Sequence, residues 1–141
     1  MKKTLIRFSL FFAWFVALLA VLGSLYYSQM LGFAPCNLCW YQRICLFPLI
    51  FILGIAAFHN DRKIGIYVYP QIILGALIAF FQGFYPICKK MGWLHLNEEF
   101  CGPTSCFNEE SQLLGVPLAL WSLCAFIAIG IFLRLSYSSK L

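Results

Sequence analysis

The sequence predicts an all-α fold, an integral membrane four-helix bundle that forms one domain over residues 1–141. Four apolar stretches are each long enough to cross the hydrocarbon core of a bilayer, which takes about 20 helical residues. Charged residues make up only 11% of the chain, whereas soluble domains contain about 25%. Because these stretches use more than half of the chain, a separate soluble domain is not expected.

The four predicted spans cover residues 8–27, 40–58, 64–85 and 113–135. The first follows Met1, Lys2 and Lys3, an opening that also occurs in secretory signal peptides. This apolar run is longer than a usual signal segment, has no clear A-x-A site after it and is followed by further spans. We therefore expect an uncleaved anchor.

Proline occurs inside the second predicted span and at the end of the third. Pro48 and Pro86 have no backbone N–H and should kink or end their helices. Neither excludes a span, because neighbouring helices can satisfy the carbonyls that a proline leaves unpaired.

Basic residues near the span ends predict which side of the membrane each loop faces, because cytoplasmic loops are enriched in Lys and Arg. With both termini cytoplasmic, seven basic residues lie inside: Lys2, Lys3, Arg7, Arg62, Lys63, Arg134 and Lys140. Three lie on the outer side: Arg43, Lys89 and Lys90. This asymmetry predicts two outward-facing loops, and it accounts for the net charge of +5 without a nucleic-acid partner.

Each outward-facing loop carries one close cysteine pair. Cys36 and Cys39 form a C-x-x-C at the end of the short loop, and Cys101 and Cys106 form a C-x4-C in the long loop, residues 86–112. Disulfides form and persist outside the cytoplasm. Both pairs are therefore candidates for redox chemistry.

The C-x-x-C coincides with a predicted helix start. Pro35 ends the preceding segment, so Cys36 is expected near the first turn, where unpaired amides and the helix dipole favour a thiolate. Arg43 lies one turn beyond Cys39 on the same face. A guanidinium there favours the thiolate and can donate a hydrogen bond to a carbonyl ligand. The alternative is an arginine that snorkels to the headgroups, but an ionisable residue in a span indicates a functional site.

Two alternatives give the cysteine pairs static roles. Four cysteines with these spacings can hold zinc, but such sites require closed tetrahedral geometry and occur mainly in reducing compartments, so we predict no metal site. A structural disulfide is a reasonable role for Cys101 and Cys106. It suits Cys36 and Cys39 less well, because a tight loop at a helix terminus is typical of reactive disulfides.

The other cysteines and both histidines are expected to have structural roles. Cys45 and Cys124 lie within spans and Cys88 at the end of the third, and free cysteine packs as a small apolar residue; Cys88 is alternatively a reactive odd thiol. His59 and His95 are expected at the surface, although His95 can approach the redox site. The spans contain no Asp or Glu, which argues against a proton-coupled transporter.

Residues 35–43, Pro-Cys-Asn-Leu-Cys-Trp-Tyr-Gln-Arg, resemble the P-C-x-L-C-x-Y-x-R signature of the disulfide bond formation protein B (DsbB) family. The short spacing of Cys101 and Cys106 and the small size are more similar to the BdbC-type members. The resemblance covers the whole topology, although the second loop matches in pattern more than in sequence. Gln42 occupies a position where some members carry an acidic residue, and the second loop is shorter than in those members. These two differences leave open how a partner protein is bound.

The resemblance implies a thiol–disulfide oxidoreductase of the bacterial cytoplasmic membrane, with its redox loops on the periplasmic or extracellular side. Cys101 and Cys106 would then exchange with a DsbA-like thioredoxin-fold partner. Cys36 and Cys39 would reduce a quinone, either ubiquinone or menaquinone, as in the DsbA–DsbB–quinone relay. Arg43 and Gln42 are assigned to quinone binding.

Two other functions fit the same chain. A vitamin K epoxide reductase-like protein also combines a four-helix bundle, a C-x-x-C and a quinone, but its redox C-x-x-C is expected in the last core helix. A membrane subunit braced by disulfides would have no turnover, and quinone-dependent thiol cycling would distinguish it from an enzyme.

Overall fold

A computed structural model describes residues 2–32, 36–61, 63–93 and 112–138. Its four helices are α1 (Lys2–Gln29), α2 (Asn37–His59), α3 (Ile64–Lys90) and α4 (Leu118–Ser138). Two short strands, β1 (Gln112–Leu113) and β2 (Val116–Pro117), precede α4. All four helices are long and apolar enough to cross a membrane, which confirms the predicted number of helices.

The four membrane-length helices agree with the predicted fold class, and the short β1–β2 hairpin before α4 shortens the predicted fourth span. Its strands pair antiparallel around Leu114 and Gly115, which have φ values of 57° and 78°. Two consecutive residues with positive φ form the tight turns that suit the twist of a two-residue hairpin. Pro117 ends β2 and immediately precedes the first helical residue. At this position its missing N–H removes no helical hydrogen bond. The helix therefore begins at Leu118 rather than at residue 113.

Helix α3 is longer than its predicted span because Pro86 does not end it. A proline removes one helical hydrogen bond, and the backbone continues beyond it, with the Met91 N–H donating to the Ile87 carbonyl at 3.2 Å. The extra turn carries Lys89 and Lys90 beyond the apolar part of the helix.

The helices form a ring in which each one packs against the helices before and after it. Helix α1 contacts α2 and α4, and α3 contacts the same two helices. Because successive helices run in opposite directions, the end of α1, the start of α2, the end of α3 and the start of α4 meet. We call this the thiol end, since it holds Cys36 and Cys39.

Small residues allow α3 and α4 to approach each other closely. A Cβ atom added to Gly75 would lie 2.3 Å from the Phe126 ring, and one added to Gly83 would lie 2.8 Å from Leu120. Lipid is as apolar as a helix surface, so association of membrane helices depends on such close packing and on interhelical hydrogen bonds. The outer surface is rich in exposed apolar side chains such as Phe58, which is 75% exposed.

Hydrogen bonds between side chains and backbone also connect neighbouring helices. Ser9 Oγ donates to the Phe132 carbonyl, joining α1 to α4. Gln71 Nε2 donates to the Cys45 carbonyl at 2.9 Å, joining α3 to α2. Cys45 lies three residues before Pro48, in the turn that this proline disturbs. The carbonyl that loses its helical donor at Pro48 is that of Ile44, so the Gln71 donor reaches the next carbonyl of the same turn.

Substituting Gly75 by Ala tests the close packing of α3 on α4, with Gly23→Ala as the matched control because nothing lies within 4 Å of the Cβ added at Gly23. Both changes gain about 1 kcal/mol of helix propensity. Only Gly75→Ala introduces a clash, which costs about 1–3 kcal/mol. We expect a lower thermal unfolding midpoint for Gly75→Ala than for Gly23→Ala in detergent, and equal midpoints would contradict the packing.

Candidate redox site

The C-x-x-C lies at the N-terminus of α2 with its two thiols in contact. Cys36 is the N-cap residue, with φ −72° and ψ 167°, and its carbonyl accepts from the Trp40 N–H at 3.1 Å. Cys39 lies in the first helical turn. The two Sγ atoms are 3.0 Å apart, and no disulfide joins them. A disulfide requires about 2.05 Å, so the sulfurs need to approach by only about 1 Å.

The position of this pair at a helix start favours the thiolate form of its cysteines, whereas its burial opposes the charged form. The first N–H groups of a helix have no helical acceptor, and the helix dipole places partial positive charge at this end. Cys36 lies at the N-cap, one position earlier than the first turn expected from the sequence. Cys36 is only 4% exposed and Cys39 is half-buried. The pair therefore combines a thiolate-favouring helix end with little contact with water.

A glutamine from α3 reaches both sulfurs. Gln82 Nε2 lies 3.5 Å from Cys36 Sγ and 3.3 Å from Cys39 Sγ. Its side chain is 6% exposed, so its amide is buried among the helices. The sequence interpretation missed Gln82 because it searched the spans for ionisable residues. A search for buried amides in the apolar spans would have found it.

Two further polar side chains connect Gln82 to α2 and α4. Gln42 Nε2 donates to Gln82 Oε1 at 2.9 Å, and Gln42 Oε1 accepts from Ser122 Oγ at 3.1 Å. The Ser122 hydroxyl also lies 2.7 Å from the Ala119 carbonyl. We call Ser122, Gln42 and Gln82 the amide array. Both ends of the Gln42 amide therefore contact side chains of the protein. The predicted contact between Gln42 and a quinone stays a prediction.

Arg43 is buried beside α1 and does not snorkel to the surface. It is 6% exposed, its Nε donates to Ser24 Oγ at 2.9 Å, and its Nη2 donates to the Ser24 carbonyl at 2.8 Å. Its Cζ lies 5.5 Å from the centroid of the Trp40 ring, within the range of a cation–π contact. The guanidinium is therefore directed to α1, whereas the thiols contact α3.

Among the described residues, neutral groups surround the Arg43 charge. Asp61 is the one acidic residue in the described ranges, and it lies at the opposite end of α2. A guanidinium has five N–H donors, and Ser24 accepts from two of its nitrogen atoms. Arg43 therefore has further N–H groups for which the described residues supply no acceptor, and these face no known partner in that part of the chain.

The other predicted residues are placed as follows. Cys101, Cys106 and His95 lie outside the described residues. Cys45 is buried in the bundle core, as expected for a packing residue. Cys124 is exposed on the outside of α4, which corrects its assignment to packing, since at the centre of a span that surface faces lipid.

A cavity of about 230 Å³ lies away from these residues, at the end of the bundle opposite the thiols. Its walls include Leu10, Ile64, Tyr69 and Leu133, which come from three different helices. Because none of the thiols or the amide array lines it, this cavity does not form part of the candidate site.

Taken together, a membrane-spanning helical bundle with a buried C-x-x-C at a helix N-terminus defines a membrane protein built for thiol–disulfide chemistry. The chain matches the family model described as disulfide bond formation protein DsbB over residues 6–135, and it belongs to that family. This confirms the resemblance seen in residues 35–43. Membership in this family makes the chain a multi-pass membrane thiol–disulfide oxidoreductase of disulfide bond formation.

Several curated proteins are similar to the chain over most of its length. The disulfide bond formation protein C of Bacillus subtilis is 40% identical, covering 93% of this chain and 94% of that protein. A probable disulfide formation protein of Chlamydia trachomatis is 40% identical, covering 99% of this chain and 100% of that protein. A probable disulfide formation protein of Coxiella burnetii is 36% identical, covering 98% of this chain and 93% of that protein. No solved structure matches the chain.

Mild oxidation of purified protein tests the geometry of the thiol pair. With Cys101 and Cys106 replaced by Ser, we expect a disulfide between Cys36 and Cys39, because their sulfurs are in contact while Cys45 lies deeper in the core. Peptide mass spectrometry after alkylation identifies the linkage. In a Cys39→Ala variant of the same background, Cys36 should remain a free thiol, and an efficient disulfide from Cys36 to Cys45 would contradict this arrangement.

Proposed function

We propose that this protein reoxidises a DsbA-like thioredoxin-fold partner and passes the electrons to a membrane quinone. The observation that carries the proposal is the Cys36 and Cys39 thiol pair, with a sulfur separation of 3.0 Å at the start of α2. The buried Arg43 lies one helical turn further along the same helix. This combination places an exchangeable dithiol near a cationic hydrogen-bond donor at the membrane surface.

The relay begins at the loop pair. A thiolate of the reduced partner attacks the Cys101–Cys106 disulfide, and the resulting mixed disulfide is resolved by the second partner thiol. The partner is then oxidised and the loop pair is a dithiol. A second exchange transfers the disulfide from Cys36–Cys39 to the loop pair, so that Cys36 and Cys39 become the reduced pair.

Thiol exchange only moves disulfides between proteins, so the relay needs a terminal acceptor for two electrons and two protons. A quinone accepts both when bound, and it is soluble in lipid. Cys36 and Cys39 lose two electrons and two protons as their S–S bond forms again. The pair is then ready for another cycle.

The residues around Arg43 fit a quinone carbonyl. Within the described part of the chain, the guanidinium has donors beyond those used by Ser24. It is buried, and a charge-assisted hydrogen bond is stronger there than in water. The Trp40 side chain is half exposed beside it and offers an aromatic face. Arg43 would hold the carbonyl oxygen and stabilise the negative charge that develops on it during reduction.

The proposed orientation has both termini in the cytoplasm and the thiol end outside. Arg7, Lys63 and Arg134 belong to the opposite end of the bundle, which supports this orientation by the positive-inside rule. The thiol end would then lie in the periplasmic or extracellular compartment, where disulfides persist. The start of α2 rather than α4 carries the C-x-x-C, which disfavours a vitamin K epoxide reductase-like arrangement.

Turnover of the relay is the central test. Purified protein in detergent should reduce a soluble quinone analogue when it is supplied with a reduced thioredoxin-fold protein, followed by the absorbance of the quinone. Cys36→Ser should abolish quinone reduction because no disulfide can form with Cys39, and Cys101→Ser should abolish partner oxidation. Cys124→Ser is the control and should retain full activity, because its thiol lies on the outside of the bundle.

Either of two results would argue against the relay. A Cys101→Ser variant that oxidises the partner at the normal rate would remove the loop pair from the pathway. Absence of turnover with every quinone analogue and thioredoxin-fold protein would favour static disulfides that brace the outer loops.

Arg43→Met tests the proposed carbonyl contact. A hydrogen bond from a charged donor contributes about 1.5–3 kcal/mol, so the KM for the quinone analogue should rise about tenfold or more. Arg43→Lys should be intermediate, because an ammonium keeps the charge but not the geometry of the guanidinium. Ser24→Ala is the matched control: it removes one anchor of Arg43 and leaves the guanidinium. An unchanged KM in Arg43→Met would exclude the contact.

A further inference from the structure

We propose that Gln82 is a hydrogen-bond donor to the Cys36 and Cys39 sulfurs that stabilises their reduced state, and that Gln42 and Ser122 hold its amide in the donating orientation. The inference rests on the proposed function only in treating this pair as redox-active. Its basis is the direct contact of Gln82 Nε2 with both reacting sulfurs, at 3.5 and 3.3 Å.

The burial of two amides in an apolar bundle indicates that their hydrogen bonds matter. Gln82 is 6% exposed and Gln42 is 7% exposed. A buried amide without partners costs several kcal/mol in an apolar medium, and here each amide has partners on both its oxygen and its nitrogen. Among the described residues, Gln82 Nε2 lies within hydrogen-bonding distance of the two cysteine sulfurs.

The hydrogen bonds of the amide array all point the same way, from Ser122 through Gln42 and Gln82 to the cysteine sulfurs. Gln42 donates its N–H to Gln82 Oε1, so rotating the Gln82 amide by half a turn would place two NH₂ groups against each other. The sulfurs therefore face the donor end of Gln82. In a low-dielectric interior, successive hydrogen bonds that point the same way strengthen one another. Ser122 contributes least, because its single hydroxyl hydrogen is shared between Gln42 Oε1 and the Ala119 carbonyl.

Donation from Gln82 should favour the reduced pair over the disulfide. A thiolate is a charged acceptor and forms stronger hydrogen bonds than a neutral disulfide sulfur. Stabilising the reduced form of a dithiol makes its disulfide a stronger oxidant. Gln82 would thus help the Cys36–Cys39 disulfide to accept electrons from the loop pair, and it would lower by the same amount the driving force for oxidation of the resulting dithiol by the quinone.

Helix α3 supplies a matched control. Gln71 is also a glutamine of α3 with an interhelical hydrogen bond, from its Nε2 to the Cys45 carbonyl at 2.9 Å. No hydrogen bond to the sulfurs is found for Gln71 among the described residues. Gln71 is half-buried, so replacing it by Leu reproduces the loss of an interhelical amide hydrogen bond on α3, but not the loss of a donor to the thiols.

The test measures the redox equilibrium of Cys36 and Cys39 in the full-length protein. Cys101 and Cys106 are replaced by Ser, and the protein in detergent is equilibrated with buffers of reduced and oxidised dithiothreitol. Alkylation and mass spectrometry then give the oxidised fraction. For Gln82→Leu we expect the equilibrium to move about tenfold toward the disulfide, which corresponds to a potential about 30 mV lower.

In the other variants, the shift of the redox equilibrium should be smaller the further the replaced residue lies from the sulfurs along the amide array. Gln42→Leu should move the equilibrium in the same direction by a smaller factor, Ser122→Ala by the smallest, and Gln71→Leu should leave it unchanged. A Gln82→Leu equilibrium within twofold of the parent would overturn the inference, and so would an equal shift in Gln71→Leu. Gln82→Met, which is closer in shape, replaces Gln82→Leu if the latter does not fold, with the same expectation.

These results are separable from the proposed relay, because the equilibrium needs neither a partner protein nor a quinone. If Cys36→Ser abolishes turnover while Gln82→Leu leaves the equilibrium unchanged, only the role of Gln82 is wrong. If Cys36→Ser retains turnover while Gln82→Leu shifts the equilibrium, the relay is wrong and the hydrogen bond to the sulfurs stands.

Discussion

The structure depends on one constraint: a polar group inside a bundle that spans a membrane must find its partner in the protein. Water is not available there, and an unsatisfied donor or acceptor is costly. The described helices meet this constraint across helix boundaries. Gln71 of α3 donates to a carbonyl of α2, Arg43 of α2 donates to Ser24 of α1, and Ser9 of α1 donates to a carbonyl of α4. The hydrogen bonds that satisfy these groups also fix how the helices pack.

The same constraint shapes the site. Cys36 and Cys39 lie where α2 has unpaired N–H groups, and Gln82 brings a further donor from the neighbouring helix α3. Arg43 is held on the α1 side by Ser24. The thiol pair thus has a neutral amide on its α3 side, while the cation of the site lies toward α1. This separation would allow the sulfurs and the proposed electron acceptor to use different donors.

Much of this architecture was predictable from local sequence, and the rest was not. Long apolar runs identify the four helices, and the C-x-x-C after Pro35 identifies a thiol pair near a helix start, because both signals lie within one segment. The hairpin at Leu114 and Gly115 was missed because an apolar stretch of that length also suits the start of a span. An amide in an apolar span was a local signal for Gln82, but its partners lie 40 or more positions away in the sequence and could not be predicted. Contacts of that kind follow from helix packing and have no local signal.

Close packing at small residues makes the amide array geometrically possible. Gly83 follows Gln82 directly, and its contact with Leu120 brings the thiol ends of α3 and α4 together. Ser122 lies two residues beyond Leu120, and it reaches Gln42 across the interior because α2 and α4 occupy opposite corners of the ring. A bulkier residue at position 83 would separate α3 from α4 and would weaken the support for the Gln42 amide. The orientation of Gln82 toward the sulfurs therefore depends on a glycine that touches neither cysteine.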